Sequence, residues 1–319
     1  MLEINHVSVE FEGAGVKAVD DMCLCLPEGS RTAIIGETGS GKSVLLVAMI
    51  RLLPPNAKIS GEILLDGQDL LSLPEKQMQK LRGSKLAYVP QGGGGSMNPL
   101  MTVGYQVGEP RIIHGKESKK SALAAAEKLL ERFGLTPGKE RSRAYPHMFS
   151  GGMRQRAMVA MGIAAGAGLL LADEPTKGLD EARVQTVTQA FRQLQGETLL
   201  CVTHDVLFAK AVSDQVSVMY AACQLECGET RRVLEHPLHP YTQDLIAAMP
   251  ENGMRYEDHG FAPPHEDYLE ESKGCRYYDR CRRCWERCKE NPPLFDVDGQ
   301  KVRCWLYADG NRCADEALR

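Results

Sequence analysis

Apolar and polar residues alternate at the start of the chain. Val7, Val9 and Phe11 fall on one side of a run in which Ser8 and Glu10 fall on the other. A period of two is the signature of a half-buried strand, so Leu2 to Phe11 predicts one. Val19 to Leu26 predicts a second and Arg31 to Ile35 a third, with Gly13, Gly15, Pro27 and Gly29 as turns. Residues 61–71 predict a further hairpin edge, and Leu86 to Pro90 a strand that ends at Gln91. From residue 102 to 166 the pattern turns helical. Ser121 to Leu130 is rich in strong helix formers, and another helix should follow Ser150-Gly151-Gly152, with the serine as its cap.

Leu169 to Ala172 and Thr198 to Thr203 are continuously apolar, as in strands covered on both faces at the centre of a parallel sheet. Gln215 to Tyr220 and the short run after it suggest two more strands. Strands alternating with helices predict an α/β fold around a parallel sheet, with a helical insertion between Gln91 and about Gly166. The apolar stretch from Ala157 to Ala172 is interrupted by Gly162, Gly166 and Gly168. It is also shorter than the roughly 18–20 residues a spanning helix needs, so it predicts a buried helix running into a buried strand. A soluble protein is expected, whose membrane contacts run through partners. Met1-Leu2-Glu3-Ile4 leads straight into the first strand and gives no sign of an export signal.

Composition narrows the picture further. The 319 residues suffice for one large domain or two modest ones, and a net charge of −4 without long single-sign blocks offers no nucleic-acid footprint. Of eleven cysteines, Cys275, Cys281, Cys284, Cys288, Cys304 and Cys313 crowd the last forty-five residues. Without an export signal, that cluster favours a metal site over disulfides.

The clearest chemistry lies in Gly36-Glu37-Thr38-Gly39-Ser40-Gly41-Lys42-Ser43, between the strand ending at Ile35 and an apolar helix starting near Val44. Strand, glycine loop and helix in that order make a phosphate-binding loop. Its backbone N–H groups turn toward phosphate oxygens, and the helix adds the positive end of its dipole. Lys42 is expected to reach the β- and γ-phosphates of ATP, and Ser43 to hold Mg²⁺. The acidic pair Asp173-Glu174 ends a buried strand. That position suits Asp173 to organise the Mg²⁺ shell and Glu174 to act as general base on the attacking water.

These motifs, with Phe149-Ser150-Gly151-Gly152-Met153-Arg154-Gln155-Arg156 and Asp173-Glu174-Pro175-Thr176, resemble an ABC cassette with its signature and Walker B strand. The likeness runs through residues 1–235. It implies a P-loop NTPase with a mixed-sheet core, an antiparallel β subdomain and a helical subdomain at about 92–166. Gln91 sits at the Q-loop position, where it would serve catalysis and Mg²⁺; Asp180 at the D-loop position; His204 at the switch position in Val202-Thr203-His204-Asp205. In such cassettes two ATPs are sandwiched head to tail, so Ser150, Gly151 and Gly152 would meet ATP held by the partner. Phe11 is expected to stack on adenine.

A narrower resemblance, to oligopeptide, dipeptide and nickel importers, rests on Ser-Gly-Gly-Met-Arg-Gln-Arg, on His239-Pro240-Tyr241-Thr242 with Leu245 and Pro250, and on the cysteine-rich tail. It implies an ATPase powering import of peptides or nickel from the cytoplasmic face of the membrane. Its expected partners are two transmembrane permease subunits, a second ATPase subunit (a copy or a paralogue) and, indirectly, an extracytoplasmic substrate-binding protein. The competing reading is a non-transport cassette acting on nucleic acid or ribosomes, with a metal-sensing tail.

The C-terminal extension is expected over 236–319, with a linker at 251–273. Cys275, Cys281, Cys288 and Cys304 match the family tail, and four thiolates can hold a [4Fe–4S] cluster or zinc. The family comparison tilts the choice toward iron–sulfur. Arg276, Arg280, Arg282, Arg283, Arg287 and Arg303 are expected to offset the thiolate charge. Two departures from the family stand out: Gly92-Gly93-Gly94-Gly95 after Gln91, which predicts a flexible joint, and Lys177-Gly178 before Leu179-Asp180, for which the sequence offers no account.

Overall fold

The computed structural model describes residues 1–13, 16–91, 96–194, 196–249 and 274–308. The glycine run at 92–95, the linker at 251–273, Pro250 and Cys313 lie outside the described residues.

The strands are β1 (Leu2–Phe11), β2 (Val16–Leu26), β3 (Arg31–Ile35), β4 (Ala57–Leu65), β5 (Gln68–Asp69) and β6 (Leu86–Val89) in the first part of the chain. They continue with β7 (Leu169–Asp173), β8 (Thr198–Thr203), β9 (Gln215–Tyr220), β10 (Cys223–Glu229), β11 (Phe295–Val297) and β12 (Gln300–Val302). They join in the order β5-β4-β1-β2-β10-β9-β3-β8-β7-β6, with β12 on β10 and β11 beyond it. The β5-β4-β1-β2 end is antiparallel, whereas β9, β3, β8, β7 and β6 run parallel. The expected second strand starts earlier than its apolar run, at Val16. The expected hairpin edge likewise begins at Ala57, because pairing with β1 holds the polar stretch Lys58 to Glu62 extended.

The helices are α1 (Lys42–Met49), α2 (Glu75–Leu81), α3 (Val103–Ile113), α4 (Lys119–Arg132), α5 (Gly138–Arg143) and α6 (Gly151–Ile163), then α7 (Glu181–Arg192), α8 (Val206–Val212), α9 (Thr230–Glu235) and α10 (Pro240–Ala247). Helices α3 to α6 form the expected helical insertion between β6 and β7. Ser150 caps α6 as expected, its hydroxyl accepting the Met153 N–H at 3.3 Å.

Two apolar cores lie on opposite faces of the sheet. The larger joins β3, β7 and β8 to the helical layer through Phe133, Phe149, Phe191 and Phe208. The smaller sits between α1 and the antiparallel end, around Val7, Met22, Leu45 and Met49. Strands β7 and β8 are buried at every position, which explains their unbroken apolar sequence. Because these strands run parallel, their C-terminal ends meet at one edge, where the loops after β3, β7 and β8 converge.

Candidate nucleotide site

The loop after β3 wraps the start of α1. At Gly36 a Cβ would lie 2.0 Å from the Met219 carbonyl oxygen, and at Gly41 (φ +95°) 1.9 Å from that of Ala18. Any side chain at either position would push the loop off β9 or β2, so these two glycines are steric requirements. The buried Lys42 ammonium donates to Gly36 O at 2.9 Å, Glu37 O at 2.7 Å and Ser40 Oγ at 3.2 Å. Burial pulls its pKa down, and the carboxylates of Glu174 and Asp173 work against that pull. Thr38 and Gly39 stand exposed at the loop's crest.

Across the cleft, Ser43 Oγ donates to Asp173 Oδ1 at 2.8 Å, and the Tyr88 hydroxyl donates to Asp173 Oδ2 at 3.2 Å. Burial raises the pKa of Asp173, the two hydroxyl bonds lower it, and neighbouring Glu174 raises it again. A serine hydroxyl and a carboxylate sharing one spot form a hard-oxygen pair of the kind Mg²⁺ takes. Tyr88 was not foreseen from the sequence, although it lies one turn of pleat before the end of β6.

Glu174 adopts φ +46°, the left-handed region, on a residue that is 5% exposed. Its N–H donates to Val202 O at 2.9 Å, so the neighbouring strand holds the unusual conformation in place. Its Oε2 lies 2.7 Å from His204 Nδ1 and accepts the His204 N–H at 3.4 Å. The imidazole is half exposed and the carboxylate nearly enclosed.

The family described as ABC transporter matches residues 19–177, and the oligopeptide/dipeptide transporter C-terminal region matches residues 225–288. The oligopeptide transport ATP-binding protein OppD of Haemophilus influenzae is 34% identical over 97% of this chain and 98% of its own length. OppD of Bacillus subtilis is 37% identical over 96% and 88%, and the dipeptide transport ATP-binding protein DppD of the same organism 36% over 94% and 92%. This chain belongs to the ABC transporter ATPases. Within them it falls in the oligopeptide/dipeptide branch. Among solved structures, the ATP-binding cassette MJ0796, in a dimeric post-hydrolysis state bound to ADP and Pi, superposes with TM-score 0.65 and 26% identity. That match covers 72% of this chain and 99% of the cassette.

The other sequence-predicted residues make local contacts of their own. Gln91 stands exposed beyond β6, and no hydrogen bond links it to Ser43 or Asp173. Asp180 caps α7, accepting the Arg183 N–H at 3.1 Å and pairing with Arg183 Nη1 at 2.7 Å. Gly151 is exposed, and Gly152 is buried where a Cβ would meet Arg183 Cδ at 2.7 Å. Phe11 is half buried at the end of β1 and packs partly against the smaller core.

The C-terminal segment reaches into the site directly. Tyr241, at the start of α10, accepts the Glu37 N–H on its hydroxyl at 3.1 Å. Arg280 Nη1 lies 3.3 Å and 3.4 Å from the two Glu37 carboxylate oxygens and 3.3 Å from the Tyr220 hydroxyl. Its guanidinium also covers the Tyr220 and Tyr277 rings. Burial works against its charge, while Tyr220 and Glu37 hold its pKa above the usual arginine value.

Three of the tail arginines also have partners on the cassette. Arg276, Arg280 and Arg303, each next to a family cysteine, pair with Asp20, Glu37 and Asp21 of the cassette. Burial pushes the Cys275 thiol up to about 11 and those of Cys281 and Cys304 up to about 12. The four family thiols are close enough to raise one another electrostatically. Among the described residues, however, no three of them have sulfurs all within 4.8 Å of one another. A single tetrahedral zinc needs thiolates about 3.8 Å apart. The tail also extends the sheet, with β12 paired to β10 through Glu226↔Val302 and Cys227↔Lys301.

Proposed function

We propose that this chain is the ATP-hydrolysing subunit of a peptide importer. The observation that carries the reading is the enclosed Glu174 carboxylate against His204, beside the Ser43–Asp173 pair that joins the first turn of α1 to the end of β7. Lys42 and the loop N–H groups hold the β- and γ-phosphates of ATP. Ser43 and Asp173 would hold Mg²⁺, with Gln91 joining on closure, and the bound ion would supply neutralisation of phosphate charge. Glu174 takes a proton from water as the water oxygen attacks the γ-phosphorus and the bond to the β-phosphate oxygen breaks. His204 keeps the carboxylate aimed. Ser150, Gly151, Gly152 and Asp180 suit a second cassette that supplies its own ATP, and Phe11 suits the adenine.

Peptide cargo is supported by the names of the relatives, which speak of oligopeptide and dipeptide transport; none of those reported speaks of nickel. The non-transport alternative has no such support. The permease docking face is assigned to the helical layer. There Leu100 and Met148 stand 85% and 62% exposed on either side of the backbone bond from Val103 N to Ala144 O. Among the described residues no helix is long and apolar enough to cross a membrane, so attachment falls to that face, on the cytoplasmic side.

In the extension, proposed to span 236–319 after an ATPase domain at 1–235, Cys275, Cys281, Cys288 and Cys304 suit a polynuclear iron–sulfur cluster better than zinc. Their sulfurs are neighbours but too widely spaced for one tetrahedral ion. Anaerobic purification with iron, zinc and sulfide analysis should give about four irons with matching sulfide; one zinc without sulfide overturns this assignment. The transport reading is tested by isolating the chain with its partners. Two multi-spanning subunits and ATPase activity stimulated by peptide-loaded binding protein are expected, whereas nucleic acid in place of permeases overturns it.

A further inference from the structure

At the antiparallel end of the sheet, β1 and β2 gather three unlike side chains. His6 Nδ1 lies 2.6 Å from Asp21 Oδ1 and 3.6 Å from Cys23 Sγ. Their ligand atoms all fall within 4.8 Å of one another, and no other such trio occurs among the described residues. We propose that His6, Asp21 and Cys23 form a binding site for a borderline divalent cation of the zinc class, with water in the open fourth position.

The backbone builds this site. The β1–β2 register shifts between Ile4 and Val7, which pair with Leu24 and Met22, so Asn5 and His6 together oppose Cys23. A bulge of this kind re-aims a side chain. Both His6 (φ +50°) and Asp21 (φ +54°) sit in the left-handed region, uncommon for residues other than glycine. The Asp21 N–H donates to Ser8 Oγ at 3.0 Å. The His6 N–H donates to Cys23 Sγ at 3.4 Å, which holds the sulfur beside the ring.

The outer contacts match what a metal ligand needs. Arg303, with a side chain only 6% exposed, holds Asp21 Oδ2 at 2.9 Å and leaves Oδ1 for the ion. Carboxylate ligands are commonly oriented in this way by a partner on the other oxygen. In a tetrahedral zinc site the imidazole nitrogen and the thiolate sulfur stand about 3.6 Å apart, the separation seen here. Nitrogen and carboxylate oxygen would stand about 3.4 Å apart, so the His6–Asp21 hydrogen bond opens by about 0.8 Å as the ion replaces its proton. Zinc would take Cys23 as thiolate, with the thiol proton going to solvent, and the neutral imidazole of His6 through Nδ1 with its one N–H on Nε2, with no change of oxidation state. A bound ion would pin the bulge and fix the aspartate on which Arg303 of the tail docks.

The test uses the full-length chain, reduced and freed of metal, and Zn²⁺ alone as probe. His6→Asn keeps a residue tolerant of the left-handed region, and Cys23→Ala removes the sulfur. Each variant should bind one zinc fewer per chain than wild type at low micromolar zinc, or bind it at least about 100-fold more weakly. Basal ATP hydrolysis should be unchanged in both. With Co²⁺, the sulfur-to-cobalt charge-transfer band should shrink in Cys23→Ala. Unchanged stoichiometry and affinity in both variants would overturn the proposal. Because the readout is metal content, its failure leaves the transport reading standing, and failure of that reading leaves this site untouched.

Discussion

The nucleotide cleft and the cysteine segment hold their polar groups in opposite ways. In the cleft, Lys42, Asp173 and Glu174 sit on the ends of buried parallel strands or the first turn of a helix. Each is bonded to backbone or hydroxyl partners before any ligand arrives. Among its described residues the cysteine segment has only single-turn helices and the short β11–β12 ribbon. Its position is fixed from outside, by Arg276, Arg280 and Arg303 on cassette carboxylates and by β12 on β10. A site at the edge of a parallel sheet is preorganised by the fold. One on a short, loop-rich segment needs a ligand or a neighbour to order it. Arg280 and Tyr241 are where the two regions touch, at Glu37.

That comparison can be pressed hardest from the cleft. Lys42→Ala removes a charge already aimed at the phosphates, and its loss should weaken MgATP binding about 10- to 100-fold in equilibrium titration, since bonds to charged groups contribute about 1.5–3 kcal/mol. Thermal stability should stay close to wild type, because the ammonium is buried without a direct carboxylate partner.

Acid should loosen the segment on which Tyr241 stands. His239 is enclosed, caps α10 by accepting the Tyr241 N–H at 3.0 Å, and burial pushes its pKa down to about 3 from the ordinary 6.5. A depressed value in the folded state means that stability is fully present above pH 6.5 and is lost as pH falls toward 3. The loss should be on the order of 2 kcal/mol by pH 5 in denaturant melts. His239→Asn keeps an oxygen for the cap and should flatten that dependence.

In the tail, Cys281→Ser should lower the metal content of the protein. It should raise hydrogen exchange across residues 274–308 while leaving β3, β7 and β8 protected. Equal loss of protection in both regions would show that they are not held differently. The smallest effect belongs to the link. The Arg280–Glu37 pair is partly open to water, so Arg280→Ala should weaken MgATP binding only about two- to fivefold. Without the guanidinium, the Glu37 carboxylate is left uncompensated beside the phosphates. Adding Glu37→Gln should therefore restore affinity, whereas a double variant weaker than the single would refute charge compensation as the link.

Much of the cleft was legible in the sequence because local pattern and chemistry coincide there. The apolar runs Thr32–Ile35 and Leu169–Ala172 predict central strands, and the glycines and acids at their ends stand where strand ends must put them. Tyr88 and Tyr241 were not legible as site residues. Tyr88 is one aromatic in an apolar strand, and Tyr241 comes from a helix 204 residues away from Glu37 in sequence. Both contacts are set by how the chain folds back, which no local period records. The arginines beside the cysteines were visible, but their partners were not, because Asp20, Asp21 and Glu37 lie more than two hundred residues earlier. The His6 bulge escaped for a similar reason: alternation alone cannot show that one strand carries extra residues.

The central claim is that the enclosed Glu174 carboxylate, held in its left-handed turn against His204, takes the proton in ATP hydrolysis. Glu174→Gln keeps the shape and the His204 contact but cannot accept that proton. Filter binding with γ-labelled ATP, followed by analysis of the bound nucleotide, should show near-normal affinity, intact ATP on the protein and turnover reduced at least about 100-fold. Brisk conversion to ADP and phosphate by that variant would contradict the account.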